Sequence, residues 1–150
     1  TEEFPDNRIR TATQLGLSQH IPDTHTTAKA SYRLYIDETG VIGNTGQVEL
    51  YQYLGPWLYA RAHGRLHHQN AINFWVPYLA EKPTDDSSRT SDSDLVRLVS
   101  REAGLKLVFL RERAPLEIRA NDSFNLSFLH YQRSNGLSVE FGSLGYARSF

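Results

Sequence analysis

The sequence predicts an all-β domain: an antiparallel β-sandwich of jelly-roll type with about seven or eight short strands. Three observations predict it. In the last quarter of the chain, Leu105, Leu107 and Phe109 recur with period two, followed by Phe124, Leu126 and Phe128, and then by Leu137, Val139 and Phe141. That is the spacing of strands with one apolar face. Each run is bounded by Gly, Pro, Asn, Asp or Ser, the residues of turns. Only one segment has helical spacing, so strands and helices do not alternate and a parallel sheet is not expected.

Composition sets the outer limits. The 150 residues are 39% hydrophobic and include 7 Phe, 8 Tyr and 2 Trp, enough for one domain with a core of its own. A net charge of −1, from 16 basic and 17 acidic residues, excludes an unbalanced basic surface for nucleic acid. No apolar run approaches the ~18–20 residues of a spanning helix, so no membrane span is expected. The absence of cysteine excludes disulfides and thiolate metal sites. The chain starts at Thr1 and contains no Met, which suggests a product of signal peptidase, of a polyprotein protease or of excision by design.

Residues 1–29 are polar, contain Pro5 and Pro22, and show no sustained period. They are expected to form an extended N-terminal arm, with residues 30–150 as a single sandwich domain. Phe4, Ile9, Leu15, Leu17 and Ile21 are the anchors by which such an arm would dock. Tyr32, Leu34 and Ile36 open the first strand, and Asp37-Glu38-Thr39-Gly40 closes it with a turn. A second turn is expected at Asn44-Thr45-Gly46, then a strand over Gln47 to Tyr53, broken at Gly55-Pro56. Trp57 to Ala62 resumes, with Trp57, Tyr59 and Arg61 on one face, and His63-Gly64 is expected to turn. Ala71 to Tyr78 reads as a strand with Ile72, Phe74 and Val76 inward, and residues 81–94 as a long exposed loop. Leu95, Leu98 and Val99, preceded by Asp92 and Asp94 and followed by Gly104, predict one short helix over about 94–103. Strands over 105–113, 122–131 and 136–146 complete the domain, with Phe109 and Phe128 as expected core residues.

The chemistry-bearing clusters are weak. His63, His67 and His68 lie within six positions, but a zinc site needs three or four fixed ligands. A polar hairpin tip explains them as well, so no metal and no cofactor is expected. His130, Ser134 and Asp122 supply the residue types of a hydrolase triad. Ser134-Asn135-Gly136 is better explained as a hairpin turn, and no Gly-x-Ser-x-Gly elbow occurs, so no catalytic residue is assigned. The Gly40–Gly46 stretch lacks the Lys of a phosphate loop. Arg111, Arg113 and Arg119 stand near Glu112 and Glu117 as a charge-paired face. Trp57, Tyr59, Trp75 and Tyr78 are the candidate binding residues. They are large amphipathic side chains, and an outward Trp75 needs cover from an arm, a neighbour or a ligand.

Asn73-Phe74-Trp75-Val76-Pro77-Tyr78-Leu79, Gly104-Leu105-Lys106-Leu107-Val108-Phe109 and Gly136-Leu137-Ser138-Val139-Glu140-Phe141-Gly142 resemble segments of picorna-like virus capsid proteins across the second half of the chain. The chain is short for that family and lacks its Pro-rich close. The resemblance implies a jelly-roll shell subunit cut from a polyprotein. The expected function is therefore a non-enzymatic structural subunit that self-assembles with copies of itself or sister subunits, in a virion or at a cell surface. A secreted fimbrial subunit or adhesin-like module, with residues 1–29 as a donor strand and a glycan or receptor as partner, is the alternative. A small hydrolase using His130 and Ser134 is a second alternative.

Overall fold

A computed structural model describes residues 9–73, 95–113 and 120–148; the side chains of residues 111–113, 120 and 121 lie outside the description. Seven strands form one antiparallel sheet whose spatial order follows the chain: β1 (Arg10–Ile21), β2 (Thr26–Asp37), β3 (Ile42–Gly55), β4 (Leu58–Gln69), β5 (Leu98–Arg113), β6 (Ala120–Arg133) and β7 (Ser138–Arg148). Each strand pairs with its sequence neighbour, so the sheet is a meander with β1 and β7 at its open edges. The strands run to between 11 and 16 residues, about twice the usual length in globular proteins.

Local chemistry sets the hairpins. Asp37 N–H donates to Val41 O at 2.9 Å, and Gly40 N–H to Asp37 O at 2.9 Å, with Gly40 at φ 88°. The Asp37 carboxylate accepts from Thr39 N at 2.9 Å and from its hydroxyl at 2.7 Å. The β6–β7 turn repeats the pattern: Arg133 N–H reaches Leu137 O at 2.8 Å, and Gly136 takes φ 89°. Both are three-residue loops that end in a left-handed glycine. The β1–β2 turn instead carries a short 3-10 turn, Pro22–Thr24, followed by His25 at φ 51°.

The all-β, antiparallel expectation holds in the described residues. Several of its parts are corrected. Of the expected helix over 94–103, residues 98–103 are the start of β5 and residue 94 lies outside the described residues, and Gly104 is a strand residue opposite His63 rather than a helix C-cap. The helical spacing of Leu95, Leu98 and Val99 is outweighed by ladder pairing: Leu98 and Val99 pair with Gln69 and His68 of β4, and from Ser100 onward β5 also pairs with β6. Asn44-Thr45-Gly46 and His63-Gly64 are not turns. Gly46 pairs with Tyr32 and Leu66, and Gly64 with Val48 and Ala103, in mid-sheet. Much of the segment expected to be an arm forms β1, joined to β2 over its full length from Arg10↔Asp37 to Ile21↔Thr26. Residues 71–73 lie outside the strands. The rest of the strand expected to Tyr78, with Trp75, lies outside the described residues, as does the 81–94 loop.

The layer expected over this sheet is not found among the described residues. Val41, Ile72, Leu98 and Val108 are the buried apolar side chains there, too few for the core of a sandwich of this size. Phe128, expected in the core, is 52% exposed. Most large apolar residues of β1 to β4 and β6 are instead gathered, uncovered, on one face of the sheet, while Leu98, Val108, Leu110, Leu129, Val139 and Phe141 fall on the other.

Candidate functional site

Directly paired residues of antiparallel strands share a face, so the register assigns every strand side chain to one of two surfaces. On the first, Leu15, Tyr32, Gly46 and Leu66 form one cross-strand row. Ala62, Leu105, Phe128 and Gly142 belong to a second row, and Ala60, Leu107, Leu126 and Leu144 to a third. Leu58, Phe109, Phe124 and Tyr146 form a fourth. Many are exposed: Leu17 80%, Leu144 71%, Leu66 62%.

This apolar area is a slanted band. On β2 it is centred near Tyr32, within the apolar run Ala28, Ala30, Tyr32, Leu34 and Ile36. Following the register from Tyr32 through Gly46, Leu66 and Arg101 leads to Gln132 on β6. The apolar centre of β6 is Leu126, between Phe124 and Phe128. The band thus descends six residues in four strand steps, about 20 Å along the strands against about 19 Å across them. A level band therefore needs strands tilted by about 45°, close to the ~35–45° of strands in closed membrane barrels.

Polar pairs bound the band on both sides. Above it, the Arg101 guanidinium donates to Gln132 Oε1 at 2.8 Å from Nε, and His130 Nδ1 lies 3.6 Å from Glu140 Oε1. Below it, Arg148 Nε lies 3.8 Å from Asp122 Oδ1. The lower edge is aromatic: Trp57 stacks on Phe109 with ring centres 6.3 Å apart, Phe109 meets Phe124 at 6.3 Å, and Tyr146 pairs with Phe124.

The second face is polar and internally bonded over β2, β3 and β4, and turns apolar at Val139 and Phe141 on β7. Glu49 is its hub, accepting from Tyr51 Oη at 2.7 Å, Arg61 Nη2 at 2.8 Å and Gln47 Nε2 at 2.7 Å. The Tyr51 hydroxyl, more than the Arg61 cation, holds the Glu49 carboxyl at about 2, well below its ordinary 4.5. The same hydrogen bond pushes Tyr51 up. Lys29 lies 4.9 Å over the Tyr51 ring. His63 Nε2 meets Glu102 Oε1 at 3.0 Å, its ring lying where a side chain on Gly104 would stand. His67 Nδ1 meets Thr45 Oγ1 at 2.8 Å.

The candidate residues from the sequence are dispersed. Trp57 packs on Phe109 at the apolar edge, whereas Tyr59 and Arg61 lie on the polar face, so the expected shared face does not form. Trp75 and Tyr78 lie outside the described residues. His63 and His67 share the polar face with Arg65 between them, and His68 lies on the other face. No group of three His, Asp or Glu residues placed to hold a metal occurs among the described residues. The triad is not assembled. Ser134 Oγ accepts from Val99 N–H at 3.1 Å in its turn, and Asp122 lies eight residues along β6 from His130, about 26 Å. The residues missed from sequence are Lys29, Glu49, Tyr51 and Glu102. Their signal was the polar half of the alternation, as in Lys29-x-Ser31-x-Arg33 and Gln47-x-Glu49-x-Tyr51.

A family model described as a protein of unknown function (DUF3570) matches residues 1–136, and the chain belongs to that family. No curated protein and no solved structure matches the chain.

Proposed function

We propose that this member of the DUF3570 family is part of the wall of a transmembrane β-barrel, with its apolar face against lipid and its polar face toward the lumen. One observation carries the reading: a slanted, uncharged, exposed apolar band, edged with aromatics and backed by a bonded polar face. In water such a band carries a large hydrophobic cost, since each exposed Leu or Phe forgoes roughly 1.5–3 kcal/mol of burial. In a bilayer the same band is satisfied. The long meander strands suit it as well, because ~9–11 tilted residues span the hydrocarbon. No helix among the described residues is long and apolar enough to cross a membrane, and strands are the other way to cross. The free edges of β1 and β7 need partners in lipid, so the barrel closes through further strands, of the same polypeptide or of other copies.

The competing reading is the self-assembling jelly-roll subunit of a shell, supported by the capsid-like segments. There a second sheet would cover the apolar band. Extraction separates the two. The barrel reading expects the protein in the membrane fraction, resistant to urea and alkali. In detergent it should be rich in β structure and migrate differently on gels before and after boiling. A detergent-free, monodisperse monomer overturns the barrel reading. Closed particles in electron micrographs overturn it in favour of the shell.

A further inference from the structure

The polar face is electrically unbalanced. The described carboxylate side chains on it are Asp37, Glu49 and Glu102, and each is committed; the register also puts Glu112 on this face, its side chain outside the description. Asp37 accepts from Thr39 and Tyr35 and lies 3.8 Å from Arg10. Glu49 is held by Tyr51, Gln47 and Arg61, and Glu102 by His63. Arg33, Arg65 and Lys106 share that face, and none of them has an acidic partner among the described residues. On the apolar face Arg148 stands near Asp122 and Glu140 near His130, and Arg101 is bonded to the neutral Gln132.

Where β4, β5 and β6 meet, the polar face also forms a pocket of about 280 Å³. Arg65, His67, Ser100, Tyr131 and Arg133 line it, together with Glu102, whose carboxylate is engaged by His63. Both nitrogens of His67 are engaged, by Thr45 and Gln69, but guanidinium and hydroxyl groups are donors in the geometry that carboxylates and oxyanions accept, and a surface of one sign concentrates ions of the other.

We propose that the polar face lines an anion-selective path, with the pocket between β4, β5 and β6 as a binding station for small carboxylates and oxyanions. The inference rests on the barrel reading. The full polypeptide, inserted in a planar bilayer, tests it under a KCl gradient. The reversal potential is expected on the chloride side. In the triple variant Arg33→Gln, Arg65→Gln, Lys106→Gln it is expected at least halfway to zero, while the heat-dependent gel shift is retained. Inorganic phosphate on one side is expected to reduce the chloride current in the parent, and less so in Arg65→Gln.

A cation-selective or unselective channel overturns the anion path and leaves the barrel standing. So does a membrane-inserted, heat-shifting protein that conducts nothing. A selectivity that the triple variant does not change overturns the assignment to these residues. Failure to enter membranes at all overturns the barrel reading itself.

Discussion

Strand β6 presents two different chemistries at alternate positions. Phe124, Leu126 and Phe128 point one way and make no core. Ser123, Asn125 and Ser127 point the other way, and Ser127 Oγ meets Ser143 Oγ at 2.6 Å. The same contrast runs across β2 to β5. In a water-soluble sandwich the polar side of a strand faces solvent and its polar groups are met by water. Here the polar side carries the network of hydrogen bonds, and the apolar side is bare. That inversion, more than the amount of apolar residue, distinguishes a sheet that separates lipid from a lumen from one that separates a core from water.

The largest effect should come from placing charge on the bare face. Leu126→Arg, at the centre of the band, is expected to destabilise the bilayer-inserted protein by about 2–4 kcal/mol. Ser31→Arg, on the polar face, is expected to change it little. Urea unfolding in lipid vesicles measures both, and equal costs would erase the distinction between the faces.

Next comes crowding on the polar side. A Cβ at Gly104 would collide with the His63 ring, so Gly104→Ala should cost about 1–3 kcal/mol and separate His63 from Glu102. The same unfolding assay reads the cost, and His63→Ala in the Gly104→Ala background should recover part of it.

The Glu49 network gives a pH signature. Its carboxyl is lowered in the folded state from 4.5 to about 2. The unfolded chain therefore binds this proton first as pH falls. The stabilisation is complete above about 4.5 and is lost as pH drops from there toward about 2. Tyr51→Phe should move the Glu49 midpoint upward, as read by carboxyl carbon chemical shifts. A midpoint that stays at the ordinary value in the parent would remove the hub.

The smallest effect concerns the aromatic edge. In a Trp75→Phe background, Trp57 emission should be quenched by lipids brominated near the headgroup more than by lipids brominated near the chain end. The reverse order would move the edge of the band.

Much of the architecture was legible. The turns at Asp37–Gly40 and Ser134–Gly136 follow from glycine at a left-handed position, and period two revealed the extent of β6 and β7, although the register puts Val139 and Phe141 of β7 on the polar face. What local signals mistook were interruptions. Gly46, Gly64 and Gly104 looked like punctuation, and Leu95, Leu98 and Val99 like a helix. Yet each of these glycines is a strand residue held by neighbours on both sides, and at Gly104 the missing side chain is the space that His63 occupies. Cross-strand pairing and packing are nonlocal, so no window along the chain contains them.

The candidate site was less legible. Aromatic size drew the eye to Trp57 and Tyr59, which register places on different surfaces. The ion-paired residues Glu49, Arg61, His63 and Glu102 are far apart in sequence and meet only across strands.

Alternation by itself determined that this chain makes antiparallel strands with one apolar and one polar face, because side chains alternate across a strand whatever surrounds it. Only the tertiary arrangement decided how the strands line up, that the apolar residues fall into a slanted band, and that the polar residues bond one another. Period two is the same for a strand facing a core and a strand facing lipid, since both take up apolar surface; the register between strands is what tells them apart.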